Sequence, residues 1–402
     1  MQHPYPLHLD LTGRRVLVVG GGPVAARRVR ELVAAGAAVE VVAPALCEDL
    51  RDLLPSLTWL EHDVRPAEAP DLVAGAWLVH TATGDPAVDA AVAAAAEARA
   101  TWCVRADAAE LSAAWTPVTV RRGDVTLSLT AGGDPRRARA LKEAGSRWLD
   151  SGAAPLRRRR TGDRPGRVVL VGGGPGAVDL LTLRGRRALA EADLVVTDRL
   201  GPRGVLAELD PDVEVVDVGK TAGNHPVPQD EINRILVEAA RSGRQVVRLK
   251  GGDPYVFGRG GEELLACRAA GIEVEVVPGV TSAFSVPAAA GIPVTHRGVS
   301  RSVTVVDGHE ATDVVRLAGV GGTLSILMGV SMLPEIAAGL IAGGKDPATP
   351  VAVVEKGWTP EQRTTTAPLA DIARVAAEAG VRAPAVVVVG EVVEALHEGG
   401  RA

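Results

Sequence analysis

The chain has 402 residues, a hydrophobic content of 47% and a formal net charge of −5, which suits about two or three domains with well-filled cores. That charge balance excludes a general pull toward nucleic acid or an anionic membrane, and aromatics at 2% exclude stacking platforms for bases. No apolar run is long enough to span a bilayer. The opening MQHPYPLHLDLTGRR lacks the basic start, apolar stretch and cleavage site of a secretory signal, so a cytoplasmic location is expected. Cys47, Cys103 and Cys267 are scattered without metal or redox spacing and read as reduced thiols.

Strand and helix patterns alternate along the chain, which predicts α/β architecture with mostly parallel sheets. Val16–Val19 is a strand, Val24–Ala35 a helix stopped by Gly36, and Val39–Ala43 the next strand. Trp59–Leu60, Trp77–Thr81 and Trp102–Val104 read as further strands, with the alanine-rich helix Ala87–Ala100 between the last two. Val125–Thr130 alternates apolar and hydroxyl residues, as a half-exposed strand outside the main sheet would. The helix Arg136–Asp150 follows. Residues 151–167, SGAAPLRRRRTGDRPGR, combine small residues, prolines and the run Arg157–Arg160, and read as a linker. No aromatic residue interleaves those arginines to make a nucleic-acid arm.

Beyond the linker the alternation restarts. Strands are predicted at Val168–Val171, Leu194–Val196, Val213–Val216, Val246–Leu249, Val274–Val277, Val303–Val306, Leu324–Met328, Val351–Val354 and Ala385–Val389. Helices such as Asp230–Arg241 and Gly260–Ala270 fill the gaps.

Two of these strands run into glycine turns of different kinds. Gly20-x-Gly22-x-x-Ala25 closes a strand and opens a helix, the context of a dinucleotide pyrophosphate site; a turn shaped only for packing would use the same glycines. The acidic ribose ligand is missing, because the second strand ends Val42-Ala43-Pro44 and Glu40 lies near its centre. The ribose must then be held by backbone or by another loop, which gives NAD only a weak preference over NADP. The loop Thr81–Asp85 follows a strand at the carboxyl edge, where it can reach the nicotinamide half. His80 reads as a strand-end residue rather than a catalyst.

The segments GGGPVAARRVRELVAAGA, TATGDP and CVRADAAELSAAWTPVTVRRGDVTLSLTAGGDP resemble the N-terminal module of the sirohaem synthase family, the precorrin-2 dehydrogenase/ferrochelatases. The resemblance covers residues 1 to about 150. It implies NAD contacts at Gly20, Gly22, Pro23, Val24, Pro44 and Ala45, and an acid/base role for Asp107, which is also the candidate metal-handling residue with Fe2+ as substrate. A carboxylate beside the nicotinamide can accept the proton lost as hydride leaves; the same residue in that place also suits a helix N-cap. The chain departs from the family in a short dimerisation segment and in Thr130-Ala131-Gly132-Gly133, where paired serines are usual.

Gly172–Gly176 (GGGPG) is no Walker loop, since the Gly-Lys-Ser/Thr ending is absent. An ordered set stands behind it: Asp198-Arg199-Leu200, GKTAGNHPVPQDEIN (219–233), RLKGGDPYVFGRGGEE (248–263), VPGVTSA (277–283) and GIPVTHRG (291–298). This set resembles the tetrapyrrole methylases, uroporphyrinogen-III C-methyltransferase above all, over residues 165–395. The resemblance implies S-adenosyl-L-methionine contacts at Pro175, Gly251, Gly252, Asp253, Val256, Thr281, Ser282, Met328 and Gly357, with Asp198 and Lys220 as catalytic acid/base residues. Met328 suits either an apolar wall to the cofactor or core packing at a strand end, and Asp198 either proton handling or a turn cap. Thr197 stands where the family often has Tyr. Arg199, Lys220, Arg248, Lys250, Arg259, His296 and Arg297 are candidate anchors for a polycarboxylate substrate.

The expected architecture is therefore α/β: a Rossmann-like NAD-binding domain (1–112), a short dimerisation segment (113–150), a linker (151–166) and a two-lobed tetrapyrrole methylase domain (167–402). The expected activity is methylation of uroporphyrinogen III to precorrin-2, followed by NAD-dependent oxidation to sirohydrochlorin and Fe2+ insertion, by a cytoplasmic homodimer with no nucleic-acid or membrane partner. The alternative is a methyltransferase carrying a non-enzymatic NAD-binding module.

Overall fold

The structure is a computed structural model that describes residues 5–157, 165–219, 227–309 and 314–396. The chain divides into two compact units, Met1–Glu143 and Ala144–Ala402. In the first, β1 (Arg15–Val19), β2 (Ala38–Ala43), β3 (Thr58–Glu61), β4 (Leu78–Thr81) and β5 (Trp102–Arg105) form one parallel sheet in the order β3-β2-β1-β4-β5. β1 reads Val-Leu-Val-Val without alternation because helices cover both faces. Val16 and Val18 pack with Ala25, Ala26, Val29 and Leu32 of the helix Pro23–Ala34. Leu17 and Val19 pack with Val88, Val92 and Ala96 of the helix Pro86–Glu97. A hairpin of β6 (Val118–Arg122) and β7 (Val125–Leu129) follows. The sequence signalled only its second strand, since β6 ends in two arginines that break the apolar alternation.

The helix Pro135–Asp150 contains the boundary between the units. The first part of the linker is fastened down rather than free: Ala154 is buried, and Arg157 pairs with Asp193 at 3.1 Å and Asp210 at 3.4 Å. Arg158–Arg160 lie outside the described residues.

The second unit holds two sheets. β8 (Arg167–Gly172), β9 (Leu194–Thr197), β10 (Glu214–Asp217), β11 (Gln245–Lys250) and β12 (Glu273–Val277) are all parallel, in the order β10-β9-β11-β8-β12. β13 (Val303–Asp307), β14 (Thr323–Leu327), β15 (Pro350–Glu355), β16 (Arg363–Pro368) and β17 (Ala385–Val389) form the other, in the order β13-β14-β17-β15-β16. The β13–β14 pairing is the one parallel pairing among the described strands of this sheet, which corrects the mostly parallel expectation for it. The short loop from β15 to β16 returns the chain directly, and direct return pairs strands antiparallel. β16, RTTTAP, escaped sequence reading because an edge strand with a polar face carries no apolar signal. Met328, expected inside a strand, lies one residue past β14 with φ +58°.

Candidate active sites

At the carboxyl ends of β8, β11 and β12, three glycines meet backbone to backbone. A Cβ on Gly172 would lie 2.7 Å from the Gly252 oxygen, and one on Gly279 would lie 2.6 Å from the Gly172 carbonyl carbon. Neither Gly172 nor Gly279 has room for a side chain, and Gly252, at φ +65°, holds a backbone conformation that side chains resist. Gly174 and Gly252 exchange hydrogen bonds, Gly174 N to Gly252 O at 3.1 Å and Gly252 N to Gly174 O at 2.7 Å. Asp253 clamps the loops further: Oδ1 accepts from Tyr255 N at 2.8 Å and Oδ2 from Gly279 N at 3.0 Å. Both oxygens keep a lone pair for a ligand.

The helix Ser282–Ala289 starts beside this knot. Thr281 caps it, its Oγ1 accepting from Ala283 N at 3.3 Å. Its far side is held by the second sheet: Ser325 Oγ of β14 donates to Ala283 O at 2.7 Å, and Trp358 Nε1 donates to Ser285 O at 2.6 Å. A Cβ on Gly357 would press on Val286 at 2.9 Å, and one on Gly176 would lie 3.5 Å from Thr359 Cγ2. The structure thus gathers Pro175, Gly251–Asp253, Val256, Thr281, Ser282 and Gly357 onto loops that meet around one helix start. Met328 is one residue beyond the strand that carries Ser325.

Left-handed backbone concentrates here. Among the described residues, Ala100, Phe257, Arg259, Met328, Lys356 and Trp358 are the non-glycines with positive φ, each at a cost of about 1–2 kcal/mol. All but Ala100 belong to these loops. Strain of this kind gathers at functional sites, where surrounding structure fixes it.

The charged residues fall into two groups. Arg248 is 4% exposed and Glu263 0% exposed, and Lys250 is buried with them. Arg248 Nε donates to Glu263 Oε1 at 3.0 Å, and Lys250 Nζ reaches both Glu263 oxygens at 2.9 and 3.0 Å. This corrects Arg248 and Lys250 as substrate anchors: burial against Glu263 takes their donors away from solvent. The amine of Lys250 is held below its usual range, by burial first and by Arg248 second. Asp198 sits past β9, with Oδ1 accepting from Leu200 N at 3.0 Å and Oδ2 from Arg248 Nη2 at 3.4 Å. Arg199 and Arg297 are exposed, Arg259 pairs with Glu262 at 2.7 Å, and His296 Nδ1 lies 3.0 Å from Arg297 O. Lys220 lies outside the described residues.

In the first unit, Gly20 has φ +128° and a Cβ there would strike the Ala82 carbonyl. At Gly22 a Cβ would meet open space. Gly22 caps the helix Pro23–Ala34 with no side-chain hydrogen bond, and Pro23 at its first position needs none. The helix start therefore offers backbone N–H groups from Val24 onward with room ahead of them, a fit for a pyrophosphate. Cys47 N donates to Gly21 O at 2.8 Å, which brings exposed Pro44 and Ala45 beside the turn. Glu40 pairs with Arg15 at 2.6 Å and is no ribose ligand.

Across the sheet edge, Asp107 is gripped by Arg105, Nε to Oδ1 at 3.0 Å and Nη2 to Oδ2 at 2.6 Å. That hydrogen bonding holds its carboxyl below the usual aspartate range. Asp107 is not a helix cap; the short turn Ala109–Leu111 starts from Ala108. Asp89, 1% exposed, accepts from Thr83 Oγ1 at 2.7 Å and thereby pins the Thr81–Asp85 loop; burial raises its pKa. His80 is buried and its pKa is lowered to about 4, by burial and then by Arg28. Among the described residues no group of three or more His, Cys, Asp or Glu could hold a metal ion.

Residues 167–373 match the family of Tetrapyrrole (Corrin/Porphyrin) Methylases, and residues 7–118 match a family described as NAD(P)-binding. The siroheme synthases of Gluconacetobacter diazotrophicus and Chromobacterium violaceum are each 39% identical, across 97% of this chain and 95% of theirs. The chain belongs to the sirohaem synthase family. Its second unit is similar to the native uroporphyrin III C-methyl transferase of Thermus thermophilus, at 43% identity over 59% of this chain and 97% of that one, with a TM-score of 0.51. The same enzyme complexed with S-adenyl homocysteine is 45% identical over 57% of this chain and all of that one, with a TM-score of 0.50.

For this member of the family, reading the sequence missed four side chains that organise the sites: Glu263, Gln229, Asp89 and Trp358. Glu263 and Asp89 lie inside helices whose charge pattern looks solvent-facing. Gln229 Nε2 reaches Glu263 Oε1 at 3.3 Å from a separate helix. The one available signal was the density of charge and glycine in residues 248–263.

Proposed function

We propose that the second unit methylates uroporphyrinogen III twice, through precorrin-1, to precorrin-2, with S-adenosyl-L-methionine as donor, and that the first unit oxidises precorrin-2 to sirohydrochlorin with NAD. The observation that carries the first half is the backbone knot of Gly172, Gly252 and Gly279, which seats Asp253 at the carboxyl edge of the sheet with a lone pair left on each oxygen. Pro175, Gly251–Asp253, Val256, Thr281, Ser282, Met328 and Gly357 would hold the cofactor, which when bound supplies an electrophilic methyl group. Attack by a pyrrole carbon needs alignment and a dry pocket more than a strong base. The left-handed loops provide that alignment before any ligand arrives. Asp198, at the carboxyl end of β9, receives the extra ring proton; Lys220 is assigned to the same proton traffic.

In the first unit Gly20, Gly22, Pro23, Val24, Pro44 and Ala45 would hold NAD, which when bound accepts a hydride. Asp107, kept ionised by Arg105, takes the accompanying proton. The relatives' name denotes an iron tetrapyrrole, so Fe2+ is included as the last substrate, with Asp107 its oxygen donor. We assign residues 1–112 to oxidation, 113–150 to pairing of two copies and 167–402 to methylation. Support for the pairing role is that a lone two-stranded hairpin such as β6–β7 is marginal in water. No helix among the described residues is long and apolar enough to cross a membrane, and the reading places the enzyme in the cytoplasm.

The test is a staged anaerobic absorbance assay: uroporphyrinogen III with S-adenosyl-L-methionine, then NAD, then Fe2+. Precorrin-2 must form in the first stage and sirohydrochlorin in the second. No methylation in the first stage overturns the main assignment. Methylation without NAD-dependent oxidation, despite NAD binding, reduces the first unit to a binding module.

A further inference from the structure

We propose that Glu263 is a positioning residue for methyl transfer: it fixes Arg248 so that the outer guanidinium nitrogen holds Asp198 in place. The proposal rests on the methyltransferase reading above.

Every nitrogen of Arg248 is committed. Nε donates to Glu263 Oε1 at 3.0 Å, Nη1 to the Leu249 and Val196 carbonyls at 2.9 and 3.4 Å, and Nη2 to Asp198 Oδ2 at 3.4 Å. A guanidinium is a rigid planar fork, so fixing Nε and Nη1 fixes where Nη2 points. Glu263 is the fixed point of the set. Its Oε1 accepts from Arg248, Lys250 and Gln229, and its Oε2 accepts from Lys250. Those donors arrive from β11 and from the helix Gln229–Arg241, while Glu263 stands on the helix Gly260–Ala269.

A purely structural role for Glu263 needs only one cation. Lys250 alone would neutralise it, with Nζ on both oxygens. The second cation lies between Glu263 and the one carboxylate of the cluster that reaches the surface, Asp198, whose side chain is 26% exposed. Two cations and two carboxylates make the cluster neutral as a whole, with one carboxylate sealed and the other at the carboxyl edge of the sheet. Asp198 Oδ1 is set by the Leu200 amide, so Arg248 supplies the second point that orients the carboxylate. Among the described residues, the other titratable groups around the cluster are Arg199, Arg203 and Asp217 on the loops after β9 and β10, where Arg203 pairs with Asp217, Asp253 and Arg259 on the loop after β11, where Arg259 pairs with Glu262, Asp230 on the neighbouring helix and the buried Cys267 on the helix of Glu263.

The test compares wild type, Glu263→Gln, Asp198→Asn and the double variant in transfer of labelled methyl from S-adenosyl-L-methionine to uroporphyrinogen III, across pH. The expected result is a loss of kcat of about thirtyfold or more in Glu263→Gln, with KM for the cofactor within about twofold and a displaced pH profile. Adding Asp198→Asn to that background costs little more, because residues acting as one unit are not additive. Arg248→Lys, which leaves Glu263 paired through Lys250 but cannot bridge to Asp198, gives the same displaced profile in the folded enzyme, and it decides the matter if Glu263→Gln does not fold. An active wild type with a normal rate and profile in Arg248→Lys, or multiplicative losses in the double variant, overturns the proposal alone. An inactive wild type overturns the methyltransferase reading and the proposal with it.

Discussion

The Asp253 carboxylate accepts the Gly279 amide at 3.0 Å, and this one bond joins the loop after β11 to the loop after β12. Its loss should therefore be felt in cofactor binding before it is felt in chemistry. Asp253→Ala frees two backbone donors, and each lost bond of this kind costs about 1–3 kcal/mol. We expect at least tenfold weaker S-adenosylhomocysteine binding by calorimetry. A companion pair sharpens the case: Gly279→Ala should abolish binding because its Cβ overlaps Gly172 and Gly252, whereas Gly261→Ala, whose Cβ meets nothing, should be neutral or stabilising by up to about 1 kcal/mol.

Gly20 and Gly22 make a similar contrast in the first unit. Gly20→Ala forces a side chain into the Ala82 carbonyl at φ +128° and should unfold the turn. Gly22→Ala keeps ordinary extended backbone, φ −88°, and points its methyl into open space. It should leave thermal unfolding unchanged while lowering NAD affinity, measured by fluorescence titration of NADH.

Asp107 is held ionised by Arg105, its pKa lowered from the usual value by that hydrogen bonding. A lowered carboxyl pKa means the basic form is lost only on acidification below the ordinary aspartate range. The oxidation rate should then show no acid limb from Asp107 between pH 7 and about pH 5. Arg105→Gln should move that limb upward. Asp107→Asn should remove oxidation and spare methylation; equal loss of both activities would contradict the assignment.

His80 carries a pH signature of stability. Its pKa is lowered to about 4 in the folded state by burial and by Arg28, while the unfolded chain titrates near 6.5. The unfolded state thus binds the proton first, and folding stability falls as pH drops from about 6.5 toward 4, by up to about 3 kcal/mol. Protection factors of the β4 amides, corrected for the pH dependence of intrinsic exchange, should fall over that window. His80→Gln should flatten the response.

The sequence announced most of this fold because buried parallel strands read as unbroken valine runs: β1, β8 and β11 stand where Val16, Val168 and Val246 begin them. β6 and β16 were illegible because their residues, VTVRR and RTTTAP, look like loop. At the sites, glycines were legible since their spacing reports backbone geometry. Arg248 and Lys250 misled because a charged side chain reads as exposed unless its partner is known. That partner, Glu263, lies 15 and 13 residues away and meets them only through the packing of its helix against the sheet.

The loops around the glycine knot keep Phe257, Arg259, Met328, Lys356 and Trp358 in a conformation that side chains resist. Replacing any of them by glycine would remove that resistance and loosen the unfolded chain at once, so the melting temperature alone would not reveal their use. On the proposed methyltransferase reading, what they confer is a mould set during folding, so that an arriving cofactor would have little disorder left to suppress.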